Sequence, residues 1–179
     1  VYINDNRITE AKLFYGQLAV ISFTPEELRL VQGAPLERRK FLDRTLTLID
    51  ASYVENLVHY QRAIKQRNAL LRENKSVSPD ELAIWDEALV NYGSILVEKR
   101  KQLLGLLEPK ISLYYEKLLG ESLAEEKVSI FYESDFLDRE GHIFSKEELK
   151  KIYKEHFEKD LRYTRTTFGT HTDDFILFL

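Results

Sequence analysis

Two stretches of the chain carry the same apolar rhythm. Tyr53, Leu57, Tyr60, Ile64, Arg67 and Leu71 follow one another at spacings of 4, 3, 4, 3 and 4. Leu82, Trp85, Leu89, Tyr92, Leu96, Lys99 and Leu103 follow at 3, 4, 3, 4, 3 and 4. A stripe of this period lies along one side of a helix and needs a second stripe to cover it. Between them Arg72 to Val77 is a polar link, and Ser78-Pro79-Asp80-Glu81 restarts a helix. Ser78 and Glu81 have capping-box spacing, and Pro79 suits the first helical position. Two such helices on a short link fold back antiparallel.

The register of that fold-back follows from the loop position. With the turn centred near residue 76, facing positions sum to about 152, which sets Tyr53 against Lys99, Tyr60 against Tyr92 and Arg67 against Trp85. One step along, Leu57 meets Leu96, Ile64 meets Leu89 and Leu71 meets Leu82. Arg67 is then within reach of a cation–π contact with Trp85, with Asp86 close by. About 22 paired residues make an arm of roughly 33 Å at about 1.5 Å per residue. The stripes fit either a protruding hairpin or an ordinary bundle in which they are simply core.

The remaining patterns are shorter. Val1, Ile3 and Ile8 flank Asn4-Asp5-Asn6, the turn chemistry of a hairpin, and Leu18 to Phe23 is an apolar run that reads as a buried strand. Thr24-Pro25-Glu26-Glu27 opens a short helix with another capping box, and Gly33 and Pro35 stop it before a second helix from about Leu36. Gly105 and Pro109 predict a break, with a further helix to about Leu119. From Lys127 to Tyr132 the alternation of a strand puts Val128, Ile130 and Tyr132 on one face. Ser145 with Glu148 is a third capping box, for a helix to about Lys159. Thr164 to Thr172 reads as a polar link and Asp173 to Leu179 as a final buried strand. The fold class is therefore mainly α, α+β overall: an antiparallel helical hairpin or bundle with a few short strands.

Composition narrows the function classes. The 179 residues include 26 lysines and arginines against 30 aspartates and glutamates, a net charge of −4, and no cysteine or methionine. A hydrophobic share of 44% suffices for a core, and no apolar run approaches a membrane span. Without cysteine there is no disulfide framework, thiolate zinc site or cysteine nucleophile. The acidic total argues against nucleic-acid binding by the whole surface but leaves room for a local basic patch. The chain opens at Val1 in mid-pattern and closes on Phe175-Ile176-Leu177-Phe178-Leu179. Such ends are expected of a piece cut from a larger protein.

Candidate chemistry is sparse. The seven glycines are isolated, and neither G-x-x-x-x-G-K-[ST] nor G-x-G-x-x-G occurs, so this stretch alone is not expected to hydrolyse a nucleotide. Gly169-Thr170-His171-Thr172-Asp173-Asp174 gathers a histidine and two carboxylates. That set suits a divalent metal or acid–base work, hence a small metal-dependent hydrolase, or else a turn that orders the entry to the last strand. Glu37-Arg38-Arg39-Lys40, with Asp43 and Arg44, sets three cations near a helix start, where they are unfavourable. Either they meet an anion or carboxylate partner, or they form an exposed face with pairs such as Arg39–Asp43. Arg62, Lys65, Arg67 and Arg72 make a further basic set.

Four ordered stretches carry a resemblance. Phe23-Thr24-Pro25-Glu26-Glu27-Leu28 with Gly33-Ala34-Pro35-Leu36-Glu37-Arg38-Arg39-Lys40-Phe41-Leu42-Asp43 is one. Tyr60 with Lys65-Gln66-Arg67-Asn68-Ala69-Leu70-Leu71 is the second, Trp85-Asp86-Glu87-Ala88-Leu89-Val90-Asn91-Tyr92-Gly93 the third, and Gly169 to Asp174 the fourth. Together they resemble the RecF family of bacterial DNA-repair proteins, ATP-binding-cassette ATPases related to the chromosome-maintenance proteins. Thr170 and Thr172 depart from it, standing where the family has proline and arginine.

The resemblance implies a middle helical lobe. Residues 1–34 would be strands and a short helix joining the ATPase head. Residues 35–125 would be the helical lobe, with its antiparallel hairpin at 50–105, and 126–179 an α+β segment returning to the head. The phosphate loop would precede this stretch and the signature and Mg-binding motifs would follow it. It also implies ATP and Mg in the intact protein but no cofactor, metal or catalytic residue in this fragment. The implied role is ATP-dependent dimerisation on DNA at gaps, with RecO and RecR as partners in loading RecA, in the bacterial cytoplasm and the SOS response, without a membrane. In that setting Arg38, Arg39 and Lys40 are candidates for an interface or DNA contact, and Gly169, His171, Asp173 and Asp174 form the head-junction motif. Tyr60, Ile64, Arg67, Trp85, Leu89 and Tyr92 pack the hairpin. The alternative is a stand-alone coiled-coil interaction module without ATPase activity.

Overall fold

The computed structural model describes residues 2–3, 6–7, 9, 24–73, 77–119 and 127–179. Strands β1 (Tyr2–Ile3) and β2 (Asn6–Arg7) pair antiparallel, Tyr2 across from Arg7. The Asn4-Asp5 turn between them and the strand expected over Leu18 to Phe23 lie outside the described residues. A 3-10 turn (Pro25–Leu28) leads into α1 (Arg29–Gln32), which Gly33 ends by donating its amide to the Arg29 carbonyl. Then follow α2 (Pro35–Ile49), α3 (Ala51–Glu73), α4 (Pro79–Leu119), β3 (Ser129–Glu133), α5 (Lys146–Glu155), α6 (Phe157–Tyr163) and β4 (Asp174–Phe178).

Helices α3 and α4 are the antiparallel pair expected from the two stripes. Arg67 reaches Asp86 at 2.6 Å, His59 stacks on Tyr92 with ring centroids 5.0 Å apart, and Arg100 Nε donates to the Tyr53 hydroxyl at 3.1 Å. These contacts centre on the expected register. Tyr53, Tyr60, Leu71, Leu82, Leu89, Leu96 and Leu103 are all buried. Asp50 makes the corner between α2 and α3: its carboxylate accepts from the Ser52 amide at 2.9 Å and pairs with Lys99 at 2.7 Å, which holds its pKa down to about 2. The Ser78/Glu81 and Ser145/Glu148 boxes start α4 and α5 as expected.

Four expectations change. α4 does not break at Gly105 and Pro109 but runs unbroken through 41 residues. Proline removes one helical donor, and the Gly105 carbonyl it leaves unpaired lies on an exposed turn, where the loss is tolerated. The helix from Ser145 does not reach Lys159 as one piece; it turns at His156 into α6. The stretch expected to be a polar link is core, with Thr166, Phe168 and Thr170 buried. The hairpin is not a free arm either: Leu71, Val77 and Leu82 at its tip are covered by Phe157 and Leu161 of α6.

That covering is possible because α4 has a second stripe. Asp86, Val90, Gly93, Val97, Arg100 and Leu104 are buried beside the first stripe, where Asp86, Gly93 and Arg100 still touch α3. Against it sits an aromatic cluster, in which Phe168 stacks on Phe136 at 5.6 Å and meets Tyr153 edge-on at 4.9 Å. Gly93 is the close-approach point, since a Cβ there would lie 2.7 Å from the Phe136 ring. β4 pairs antiparallel with β3, Phe175 across from Tyr132. Its burial is one-sided: Phe175 is inside, while Ile176 and Phe178 are exposed, so the fully buried last strand is corrected to a half-covered one.

Candidate functional site

The segment from Asp160 to Asp174 is fastened to the helical pair by two buried arginines. Arg67 of α3 donates to Asp86 of α4 at 2.6 Å, to Asp160 of α6 at 2.6 Å and to the Thr166 hydroxyl at 3.0 Å. Its guanidinium lies over the ring of Tyr153, 5.5 Å from the centroid. Tyr153, and not Trp85, is therefore the cation–π partner; Trp85 is half-buried against the core. Burial works against the Arg67 charge, but the two carboxylates outweigh it and hold the group protonated. Burial raises the Asp86 pKa despite Arg67 beside it.

Arg100 of α4 does the same at the other end. It donates to Asp173 at 2.7 Å, Asp43 at 2.8 Å, the Thr170 carbonyl at 2.8 Å and the Tyr53 hydroxyl at 3.1 Å. Tyr132 of β3 also donates its hydroxyl to Asp173. Burial pushes the Asp173 carboxyl up to about 6, with Arg100 opposing the shift. Sequence reasoning missed Arg100, Asp160, Tyr132 and Tyr153. The signal that would have found Arg100 was present: the second α4 stripe repeats at 4, 3, 4, 3 and 4, and Asp86 and Arg100 sit in it.

The Gly169-to-Asp174 motif is divided among separate partners. Gly169 has φ +138°, and a Cβ there would fall 2.6 Å from the Tyr60 hydroxyl and 2.9 Å from that of Tyr153. Its amide donates to Asp135 at 3.0 Å, and Asp135 also accepts from the Thr172 hydroxyl at 2.8 Å. His171 Nδ1 faces the Tyr60 hydroxyl at 3.1 Å and Nε2 faces the Thr166 carbonyl at 3.1 Å. A carbonyl only accepts, so Nε2 carries the proton and Nδ1 accepts from Tyr60. Burial lowers the His171 pKa and favours this neutral form. Asp174 takes a two-pronged bond from Arg38, at 2.6 and 2.8 Å. His171, Asp173 and Asp174 thus converge on no common point, and no group of three metal-ligating side chains occurs among the described residues.

The basic stretch at the start of α2 also turns inward. Besides Asp174, Arg38 donates to the Gly33 carbonyl at 2.8 Å. Arg39 donates to the backbone carbonyl of Asp173 at 2.6 Å, and its pKa is lowered by burial and by the nearby Arg100. The pair Arg39–Asp43 does not form, because Asp43 is held by Arg100 and Tyr53. Lys40 stays exposed and pairs with Glu37 at 2.9 Å. Tyr60, Ile64, Leu89 and Tyr92 all belong to, or pack against, the main core.

Comparison with known proteins places this arrangement. No protein-family model matches the chain. The DNA replication and repair protein RecF of Clostridium acetobutylicum is 31% identical over 175 residues, 98% of this chain and 47% of that protein. RecF of Trichlorobacter lovleyi is 34% identical over 179 residues, covering 98% and 46%, and RecF of Streptococcus pyogenes is 33% identical over 177, covering 97% and 47%. The solved structure of the recombination mediator protein RecF-ATP in the RecFOR pathway superposes with a TM-score of 0.86 at 28% identity, over 98% of this chain and 47% of that one. The RecF-ATPrS structure gives 0.84 at 27%, with the same coverage. The chain is similar to RecF along 97–98% of its own length. It spans about half the length of the RecF proteins it matches. The helical hairpin and the two-stranded sheet are shared with RecF over nearly the whole chain.

Proposed function

We propose that this segment is the helical lobe of a RecF-type recombination mediator, in which the residues from 1 to 34 and from 126 to 179 join it to an ATPase head. The end-to-end match to RecF solved with ATP carries this reading. In the intact protein ATP and Mg would be held by the head, which would dimerise on DNA and act with RecO and RecR to load RecA at gaps. The lobe's part is to move as one body. The two arginine anchors favour this, because each joins the helical pair to the segment that ends in β4.

Arg38, Asp173 and Asp174 would then be junction residues that fix the start of α2 on the closing strand. Of the three cations Lys40 is the exposed one, while Arg39 is half-buried and lines a cleft beside α2. No described helix is long and apolar enough to cross a membrane.

The test uses the intact parent protein. Fluorescence anisotropy on gapped duplex should show binding at least about tenfold tighter with ATP than without, and RecA loading should require RecO and RecR. Equal affinity with and without nucleotide would overturn the reading. So would ATP turnover by the 179-residue chain alone at the rate of the intact protein.

A further inference from the structure

A cleft of about 730 Å³ opens between the start of α2, the end of α6 and the loop that follows α6. Three of its lining residues are cations, Arg39, Lys159 and Arg165, and none is a carboxylate. Among the described residues none of the three has an ion-pair partner within 4.0 Å: Arg39 bonds a carbonyl, and Lys159 and Arg165 stand exposed. Asp43, Asp173 and Asp174 act on Arg39 from outside the cleft lining, whereas Lys159 and Arg165 have no carboxylate within 4.0 Å among the described residues. Like charges gathered along one cleft sum to a positive field that draws an anion, screened by salt because two of the three cations are exposed.

Two other walls define the anion further. The 15-residue α2 begins at Pro35 with no side-chain cap on Ala34, so its positive end adds to the same field. Tyr163, 54% exposed, also lines the cleft, as do the apolar Pro35 and Leu36. An exposed ring beside a cationic recess is suited to stack a base while the cations hold phosphate. The volume lies within the roughly 300–1,000 Å³ of small-molecule sites. A second recess of about 390 Å³ shares Leu36, Arg39 and His171 with it and is lined also by Asp43, Arg100 and Tyr60.

We propose that this cleft is a binding site for a phosphate ester carrying a nucleobase, with Arg39, Lys159 and Arg165 on the phosphate and Tyr163 on the base. The shared chemistry has two sources, a free nucleotide or one nucleotide of a single strand. The site is separate from the nucleotide held by the head in the reading above, and it is tested on this chain without the head.

The probes are fluorescein-labelled short oligothymidylate, followed by anisotropy, and TMP and inorganic pyrophosphate, followed by calorimetry. The double variant Lys159→Ala/Arg165→Ala should weaken each bound probe about tenfold and flatten the salt dependence, whose slope for three phosphate contacts on a single strand is about −2. Tyr163→Ala should weaken oligothymidylate and TMP and leave pyrophosphate unchanged. Lys110→Ala/Lys117→Ala, some 26 residues or roughly 40 Å along α4 from the level of Asn68, should change nothing. Binding of oligothymidylate assigns the site to a strand; binding of TMP alone assigns it to a free nucleotide. No binding of any probe at millimolar concentration overturns the proposal. So does an equal loss in the Lys110/Lys117 variant, or an unchanged affinity in the Lys159/Arg165 variant with a native circular dichroism spectrum.

Discussion

Arg67 and Arg100 are built from the same parts and differ in what surrounds them. Each is a buried guanidinium on the helical pair, held by two carboxylates, one of them from the 160–174 segment. Arg67 is sealed: it has no exposed surface, and it joins α3, α4 and α6 under the hairpin tip. Arg100 joins α2, α4 and the closing segment, and its surroundings are rich in titratable groups: Tyr53, Tyr132 and the Asp173 carboxyl. Its partner Asp43 remains 24% exposed. Burial raises a carboxyl at both anchors, Asp86 at the first and Asp173, up to about 6, at the second; the second also has a partner, Asp43, open to solvent. The contrast shows how one motif, used twice on the helical pair, holds both ends of a segment, one sealed and the other partly open.

Breaking the sealed anchor should have the largest effect. Arg67→Ala leaves Asp86 and Asp160 buried without their cation, and should cost about 3–5 kcal/mol in urea denaturation. Between the anchors, Gly169→Ala should cost about 2–3 kcal/mol, from positive φ and the clash with Tyr60. Adding Tyr60→Phe removes the clashing hydroxyl and should return about 1 kcal/mol, which a double-mutant cycle would read.

The second anchor is sharpened by pH. Asp173 has a folded pKa of about 6 against an ordinary 3.8, so in that window the folded state binds the extra proton. Stability from this group therefore rises as pH falls through 6 toward about 4, and is lost as pH rises. His171 works in the opposite sense, its lowered pKa costing stability as pH falls below its ordinary 6.5. The difference between wild type and Asp173→Asn cancels that part. Urea midpoints should show the wild type gaining on the variant as the solution is acidified; a pH-independent difference would refute the assignment.

The smallest effects lie at the start of α2. Arg38→Ala breaks a half-buried two-pronged pair and should cost about 1 kcal/mol, whereas Lys40→Ala, at an exposed pair, should stay within about 0.5 kcal/mol.

Much of the helical half could be read from the chain, because its information is local. The stripes at Tyr53–Leu71 and Leu82–Leu103 and the short link between them set the register, and the Ser78 and Ser145 caps set helix starts. The candidate site was less legible. Its polar contacts join residues far apart in sequence: Arg67 with Asp160, Arg100 with Asp173, Arg38 with Asp174. Threonines 166 and 170 read as linker because their hydroxyls and polar neighbours suggest solvent, yet Asn68, Arg67 and Arg100 meet their backbone and side-chain groups inside. Pro109 misled for a related reason: a helix breaker acts only where its missing bond cannot be offset, and on an exposed turn water can do so.

That proline has a mechanical corollary. Beyond Leu104 the long helix keeps going, and Glu108 and Ser112 bond the Ile130 amide and the Val128 carbonyl at 2.8 and 2.7 Å. One rod, about 60 Å long for its 41 residues, thus links the hairpin tip to the edge of the sheet. Its missing rung falls between the gripped shaft and those two attachments, at Gly105, where a side chain would touch nothing within 4 Å. That turn lacks one backbone bond, so the rod's stiffness between the helical body and the sheet rests on the side-chain attachments at Glu108 and Ser112 rather than on a full ladder.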